Sequence, residues 1–163
     1  MDQAAFTAFY HETAPALRGY IRRVSQEGEV ADDLLQETYV RFLRAKPDLA
    51  DPVSLKAYLY KTATATIYDH WRKLRRERLW SLNFRWREET PAATESGDVS
   101  RCFQRLNPRE RALLWLAYVE GYAHHEIAAT LDLRETSIKV LLFRARRNLE
   151  RILRQNGLCE VKP

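Results

Sequence analysis

Apolar residues recur every three to four positions through six stretches of this chain, and no stretch alternates like a strand for long. Over residues 4–24 the stripe is Phe6, Phe9, Tyr10, Leu17, Tyr20, Ile21 and Val24. The polar, glycine-containing "SQEGE" (25–29) predicts a turn. A second helix is predicted over 30–45, with Ala31, Leu34, Leu35, Thr38, Tyr39 and Phe42 on one face. "KPDLADP" (46–52) holds two prolines and two aspartates and reads as a loop. A long helix follows, from about Ser54 to Arg78, its inner side marked by Leu55, Tyr58, Leu59, Thr62, Ala63 and Ile67.

The pattern then lapses. "EETPAATESGD" (88–98) has no stripe, many small polar residues and a local acidic excess, so residues 88–104 are expected to be a linker. Helical signals resume at "NPRE" (107–110). Asn107 suits an N-cap, Pro108 the first helical position, and Glu110 completes a capping box. Leu113, Leu114, Ala117 and Tyr118 follow, and Gly121 ends the helix. A short helix is expected from His124 to Leu131, then the turn "DLR", then a last helix from Glu135 to about Arg154. The fold class is therefore all-α: a first helical domain over 1–87, the linker, and a second over 105–163 with a helix-turn-helix.

Composition narrows the partners. The chain has 163 residues, 27 Lys and Arg against 22 Asp and Glu, and a formal net charge of +5. A modest basic excess suits an anionic partner such as nucleic acid, and many proteins without one share it. Cys102 and Cys159 lie far apart and read as reduced structural thiols, which points away from a disulfide framework and a zinc site. The N-terminal residues lack the pattern of a signal peptide, and no apolar run approaches the ~20 residues that span a bilayer. A cytoplasmic protein is expected, with no membrane insertion.

Few residues suggest catalysis. Asp32 and Asp33 are adjacent, so on a helix they point about 100° apart and do not converge as an acid–base pair. "HHE" (124–126) lacks the second histidine one turn on that a zincin requires. No Gly-rich phosphate loop occurs. Neither an enzyme, a cofactor nor a metal is expected. Two other signals carry more. "RKLRRER" (72–78) is a dense basic run flanked by Trp71 and Trp80, with Tyr58, Tyr60 and Tyr68 upstream. Such a run meets phosphates while rings stack on unpaired bases, or it is a solvated helix end favoured by the helix dipole. Residues 124–149 have helix-turn-helix spacing, which favours DNA binding over a plain bundle.

These signals come in a familiar order. The chain resembles the extracytoplasmic-function sigma factors of bacterial RNA polymerase over nearly its whole length. "FTAFYHETAPALRGYIRR" is similar to their opening helix, and "ADDLLQETYVRFLRA" to the pattern A-x-D-L-x-Q-E-T-F-x-R-A. "AYLYKTATATIYDHWRKLRR" resembles the promoter −10 segment. "LNPRERALLWLAYVEGYAHHEIAATLDLRETSIKVLLFRARRNLERIL" resembles the −35-binding domain, with its L-P-P-x-x-R, E-G-x-x-x-x-E-I-A and V-K-x-x-L-x-R-A-R features.

The resemblance implies a specificity subunit that binds core RNA polymerase, through the clamp helices of the largest subunit and the flap, and promoter DNA. Asp33, Gln36 and Glu37 would make the polar contacts on polymerase, backed by Leu34, Leu35 and Phe42. Lys61 and Thr64 would lie near a flipped −10 base, the loop 46–54 would capture it, and Arg72, Lys73, Arg75 and Arg76 would follow the phosphates. Base capture would offset unstacking, so melting would need no ATP. Arg134, Glu135, Thr136, Ser137, Lys139, Arg144 and Arg147 would meet the −35 element. An anti-sigma factor is an expected partner. The alternative is a stand-alone helix-turn-helix regulator that never engages polymerase.

The chain departs from the pattern in places. Alanine at 65 replaces a frequent Asn and Tyr58 a frequent Trp. In the last helix, Arg134–Leu142 replaces Ser-Val-Gly-Thr-Val-Lys-Ser-Arg-Leu and leaves Val140 where the family has serine. Ile138, Leu142, Ala145, Leu149 and Ile152 already supply a buried stripe, so Val140 and Phe143 are surplus to it. They are expected to pack on protein, either the first domain in a compact free state or an anti-sigma factor. Completing the local core, or touching a thymine methyl, are the alternatives.

Overall fold

The computed structural model of the chain describes residues 1–48, 51–80 and 97–158, with residues 78–80 through their backbone only. These form seven helices and no strand: α1 (Gln3–Ser25), α2 (Ala31–Ala45), α3 (Pro52–Trp80), α4 (Asp98–Gln104), α5 (Pro108–Tyr118), α6 (His124–Leu131) and α7 (Glu135–Gln155). Residues 88–96 of the expected linker, positions 49–50 of the loop expected to capture a base, and Cys159 lie outside the described residues.

Local chemistry sets the helix ends. The Asp2 carboxylate caps α1 by accepting from the Ala5 N–H at 2.8 Å. The Asn107–Glu110 capping box forms with both of its bonds, at 2.9 and 3.1 Å. The Glu110 carboxylate also accepts from Asn148 Nδ2 at 3.0 Å, which ties the start of α5 to α7. Glu126 reaches back to the Ala123 N–H at 2.7 Å and opens α6. Gly121 (φ 69°) makes the turn before α6, and Asp132 (φ 55°) takes the left-handed conformation that starts the turn into α7.

In the first half α1, α2 and α3 pack mutually around Leu17, Ile21, Leu35, Phe42, Leu59 and Ile67. Phe9 stacks on Phe42 with centroids 5.4 Å apart. In the second half α4 and α5 pack on α7, with Cys102, Leu113, Leu116, Ile127, Ile138 and Leu142 buried. The helix α4 corrects the expected linker: residues 98–104 are ordered against α7. Their only deeply buried side chain is Cys102, too little for a sequence stripe.

The two halves pack together. α5 lies on α1 and α6 on α3. The seam is aromatic: Tyr60 sits between Tyr20 (5.2 Å) and Tyr122 (5.8 Å). Trp115 approaches Gly19, where a Cβ would meet its ring at 3.8 Å. Arg111 is buried at 1 % exposure and crosses from α5, donating Nε and Nη2 to the Val24 carbonyl of α1 at 3.0 and 2.7 Å. Arg23 of α1 bonds Ser100 of α4.

Candidate nucleic-acid interface

Three surfaces carry the candidate residues. The first is the outer edge of α2. Of its adjacent acids, Asp32 is engaged by Arg18, Nε to Oδ1 at 2.6 Å and Nη2 to Oδ2 at 3.1 Å, which holds the Asp32 carboxyl below its usual range. Asp33 and Gln36 are exposed and make no ion pair among the described residues. Glu37 is half-exposed and paired with Arg41 at 2.8 Å, and Arg41 continues to Asp69 of α3 at 2.7 Å. Leu34 and Phe42, expected to back those contacts, are buried at 7 % and 1 %. That burial is what backing the polar edge from the core requires.

The second surface is α3. Lys61, Arg72, Lys73, Arg75 and Arg76 are all exposed. Arg72 lies 3.8 Å from Asp69, so part of its charge is already balanced. Thr64 is not a free base contact: it is 3 % exposed, and its hydroxyl is shared between the Tyr20 hydroxyl (2.6 Å) and the Tyr60 carbonyl (2.8 Å). The physical reason is the close approach of α1, which a polar residue tolerates because both of its bonds are met.

Sequence reasoning missed the face of α3 that the second half covers, formed by Tyr60, Tyr68 and Trp71. The Arg111 guanidinium stands over the Trp71 ring at 5.7 Å. Burial pushes the Tyr60 hydroxyl pKa up, with the Glu120 carboxylate adding to it. The Tyr60 and Tyr68 hydroxyls and Trp71 Nε1 are buried with no hydrogen-bond partner among the described residues. The signal for this seam is weak in the sequence: Arg111 follows the charged Arg109 and Glu110 and stands immediately before the apolar run Ala112, Leu113 and Leu114.

The third surface is α7. Ile138, Leu142, Ala145 and Ile152 are buried as the stripe predicts. Arg134 occupies the N-cap, Glu135, Thr136, Lys139, Arg144 and Arg147 are exposed, and Ser137 is half-buried. Arg146 donates to the Tyr118 hydroxyl at 2.8 Å. Val140 and Phe143 are 49 % and 53 % exposed. At that exposure they do not complete the core, which removes that alternative, and α7 packs on α4, α5 and α6. Compaction comes instead through α5, which carries Arg111 and Trp115, and through α6 and the turn before it, which carries Tyr122.

The α2 edge and the outward face of α7 are thus both open while the aromatic face of α3 is closed. Among the described residues no group of three or more His, Cys, Asp or Glu is placed to hold a metal ion, and no helix is long and apolar enough to cross a membrane.

Comparison with known proteins fits this layout. Residues 9–77 match the family model for sigma-70 region 2, and residues 96–149 that for sigma-70, region 4. The sigma factor CarQ of Myxococcus xanthus is 26 % identical over 98 % of this chain and 94 % of its own length. The extracytoplasmic-function sigma factor SigL of Mycobacterium tuberculosis is 26 % identical over 96 % and 93 %. Among solved structures, the sigma factor RpoE from Bartonella quintana, in complex with the anti-sigma factor NepR, has the same fold. Its TM-score is 0.76 at 22 % identity, over 92 % of this chain and 97 % of that one. CnrH in complex with the cytosolic domain of CnrY follows, with a TM-score of 0.68 at 23 % identity over 94 % and 90 %.

A fold with region 2 in α1–α3 and region 4 in α4–α7 defines an RNA polymerase specificity factor. Within that class, the chain belongs to the sigma-70 family and is of the extracytoplasmic-function type.

Proposed function

We propose that this sigma factor docks on core polymerase through the Asp33/Gln36/Glu37 edge of α2, reads the −35 element with α7 and holds the melted −10 element along α3. It acts as a non-enzymatic subunit in the cytosol, and melting draws on base capture without ATP. The observation that carries this reading is the separation of surfaces. One helix edge is polar and acidic, and two separate helix faces are basic and free of core duty. An acidic edge suits a basic protein surface, and basic faces suit phosphates. An anti-sigma factor is a further expected partner, on the strength of the relatives solved with one.

Run-off transcription from a cognate promoter tests the whole reading, since a stand-alone regulator does not start transcription. Asp33→Lys tests the docking edge. Asp33 is exposed and outside the Glu37–Arg41–Asp69 chain, so the fold is expected to persist by circular dichroism. Polymerase affinity should fall about ten-fold or more, because a like charge then faces the partner. Undiminished binding in a pull-down would remove α2 from the docking surface.

A further inference from the structure

Thr136, Val140, Phe143 and Arg147 are four, three and four residues apart, which places them on one stripe of α7. That stripe lies opposite the buried Ile138–Leu142–Ala145 side. It is therefore the part of the helix that projects furthest from the domain. Two of its four side chains are apolar and about half exposed.

The surroundings say what covers them. Between Thr136 and Leu149, α7 carries Lys139, Arg144, Arg146 and Arg147 and no carboxylate. An apolar pair inside such a cationic frame suits a polyanion with an apolar feature between its charges. The major groove of B-DNA is such a surface. Phosphates line its walls, and the one apolar group on its base edges is the thymine C5 methyl. The pair is also pre-positioned. The Arg147 guanidinium lies over the Phe143 ring at 5.9 Å, which limits the rotation of that ring.

We propose that Val140 and Phe143 read two thymine methyl groups on neighbouring base pairs of the −35 element. Their cationic neighbours fix the register on the phosphates. This rests on the assignment of α7 to −35 binding and adds the determinant of sequence. Val140 and Phe143 lie about one turn apart, with Cα atoms about 5 Å apart, so their side chains can reach two base pairs stacked about 3.4 Å apart. A valine where the family pattern has serine exchanges a hydrogen-bonding reader for a methyl reader.

The test uses the reconstituted holoenzyme and duplex DNA randomised across the −35 window. Selection should enrich thymine at two neighbouring positions. Each thymine is then replaced by deoxyuridine, which keeps the base pairing and removes only the methyl. Affinity should fall about four-fold per methyl, the loss expected for one buried carbon. The holoenzyme carrying Val140→Ser and Phe143→Gln should bind thymine and uracil duplexes alike while still docking on polymerase. Equal binding of the two duplexes by the unaltered holoenzyme would overturn the proposal. So would discrimination that survives the double substitution, which would return the pair to a protein-binding role. Selection of no sequence at all in the −35 window would refute −35 reading by α7 itself, a distinct failure. The first comparison alters only the DNA, so it does not depend on how a variant folds.

Discussion

Arg111→Met will loosen the seam between the two halves and lower the stability of the fold by about 3 kcal/mol, in line with stranding buried carbonyl acceptors. Among the described residues the guanidinium has no carboxylate in ion-pair contact. It donates to the carbonyls of Val24, Gln104 and Leu106. Val24 lies in the last turn of α1, where carbonyls have no intrahelical donor and a cation is favoured by the dipole. An arginine of region 4 therefore serves as the C-terminal cap of a region 2 helix. Burial pulls its pKa down to about 10, so at neutral pH it remains protonated and the full charge is enclosed. Methionine keeps an unbranched stem but is shorter, supplies no donor and leaves the Val24 and Leu106 carbonyls unmet. The check is small-angle scattering beside thermal unfolding of the full chain. The expected result is a larger radius of gyration with helical content retained. A lower unfolding midpoint at unchanged dimensions would mean that Arg111 supports only the α4–α5 corner.

The seam has a second property that bears on the same experiment. It buries the Tyr68 hydroxyl and Trp71 Nε1 without partners among the described residues, and each unmet donor costs about 1–3 kcal/mol relative to one that is satisfied. Apolar and aromatic packing of Tyr20, Tyr60, Trp115 and Tyr122 opposes that cost. Under the proposed −10 role, opening of the seam would make the rings and donors of α3 available to bases, which offer both stacking faces and acceptors.

Most of the fold was legible because stripes and caps agree. The Asn107–Glu110 box, the His124–Leu131 helix and the "DLR" turn lie where the pattern places them. The α4 helix was not legible, because "DVSRCFQ" buries a single side chain and follows a polar, acidic run. Nor was the second face of α3. Its sequence stripe points to α1 and α2, and the residues that meet region 4 are tyrosines and a tryptophan, which read equally well as surface aromatics. For Thr64 the family resemblance implied a place near a flipped base. Only three-dimensional placement shows the Tyr20 hydroxyl already bonded to it. At Val140 and Phe143 the pattern showed correctly that they are surplus to the core. It could not show which way the domains close, because that depends on Arg111 and Tyr122, far away in sequence.

The largest functional effect is expected from the basic end of α3. Arg72, Arg75 and Arg76 are exposed with the halves packed together, so their contribution to DNA binding does not wait on opening of the seam. Each phosphate left without its cation should remove about 0.9 from the slope of log affinity against log salt. Triple replacement by alanine is therefore expected to flatten the slope by about two to three units, with Arg72 giving less than a full share because Asp69 already balances part of its charge. Lys73 stays in place and keeps some residual attraction. The weakening should be nearly uniform across promoter sequences, since phosphates carry no base identity. That uniformity separates it from substitutions on the reading face of α7, which should act on some sequences and spare others. Titration of holoenzyme on cognate and scrambled duplexes over a range of salt concentrations measures both quantities at once. A slope equal to that of the unaltered protein would make this run a solvated helix end, and a weakening confined to one sequence would make it a reader of bases.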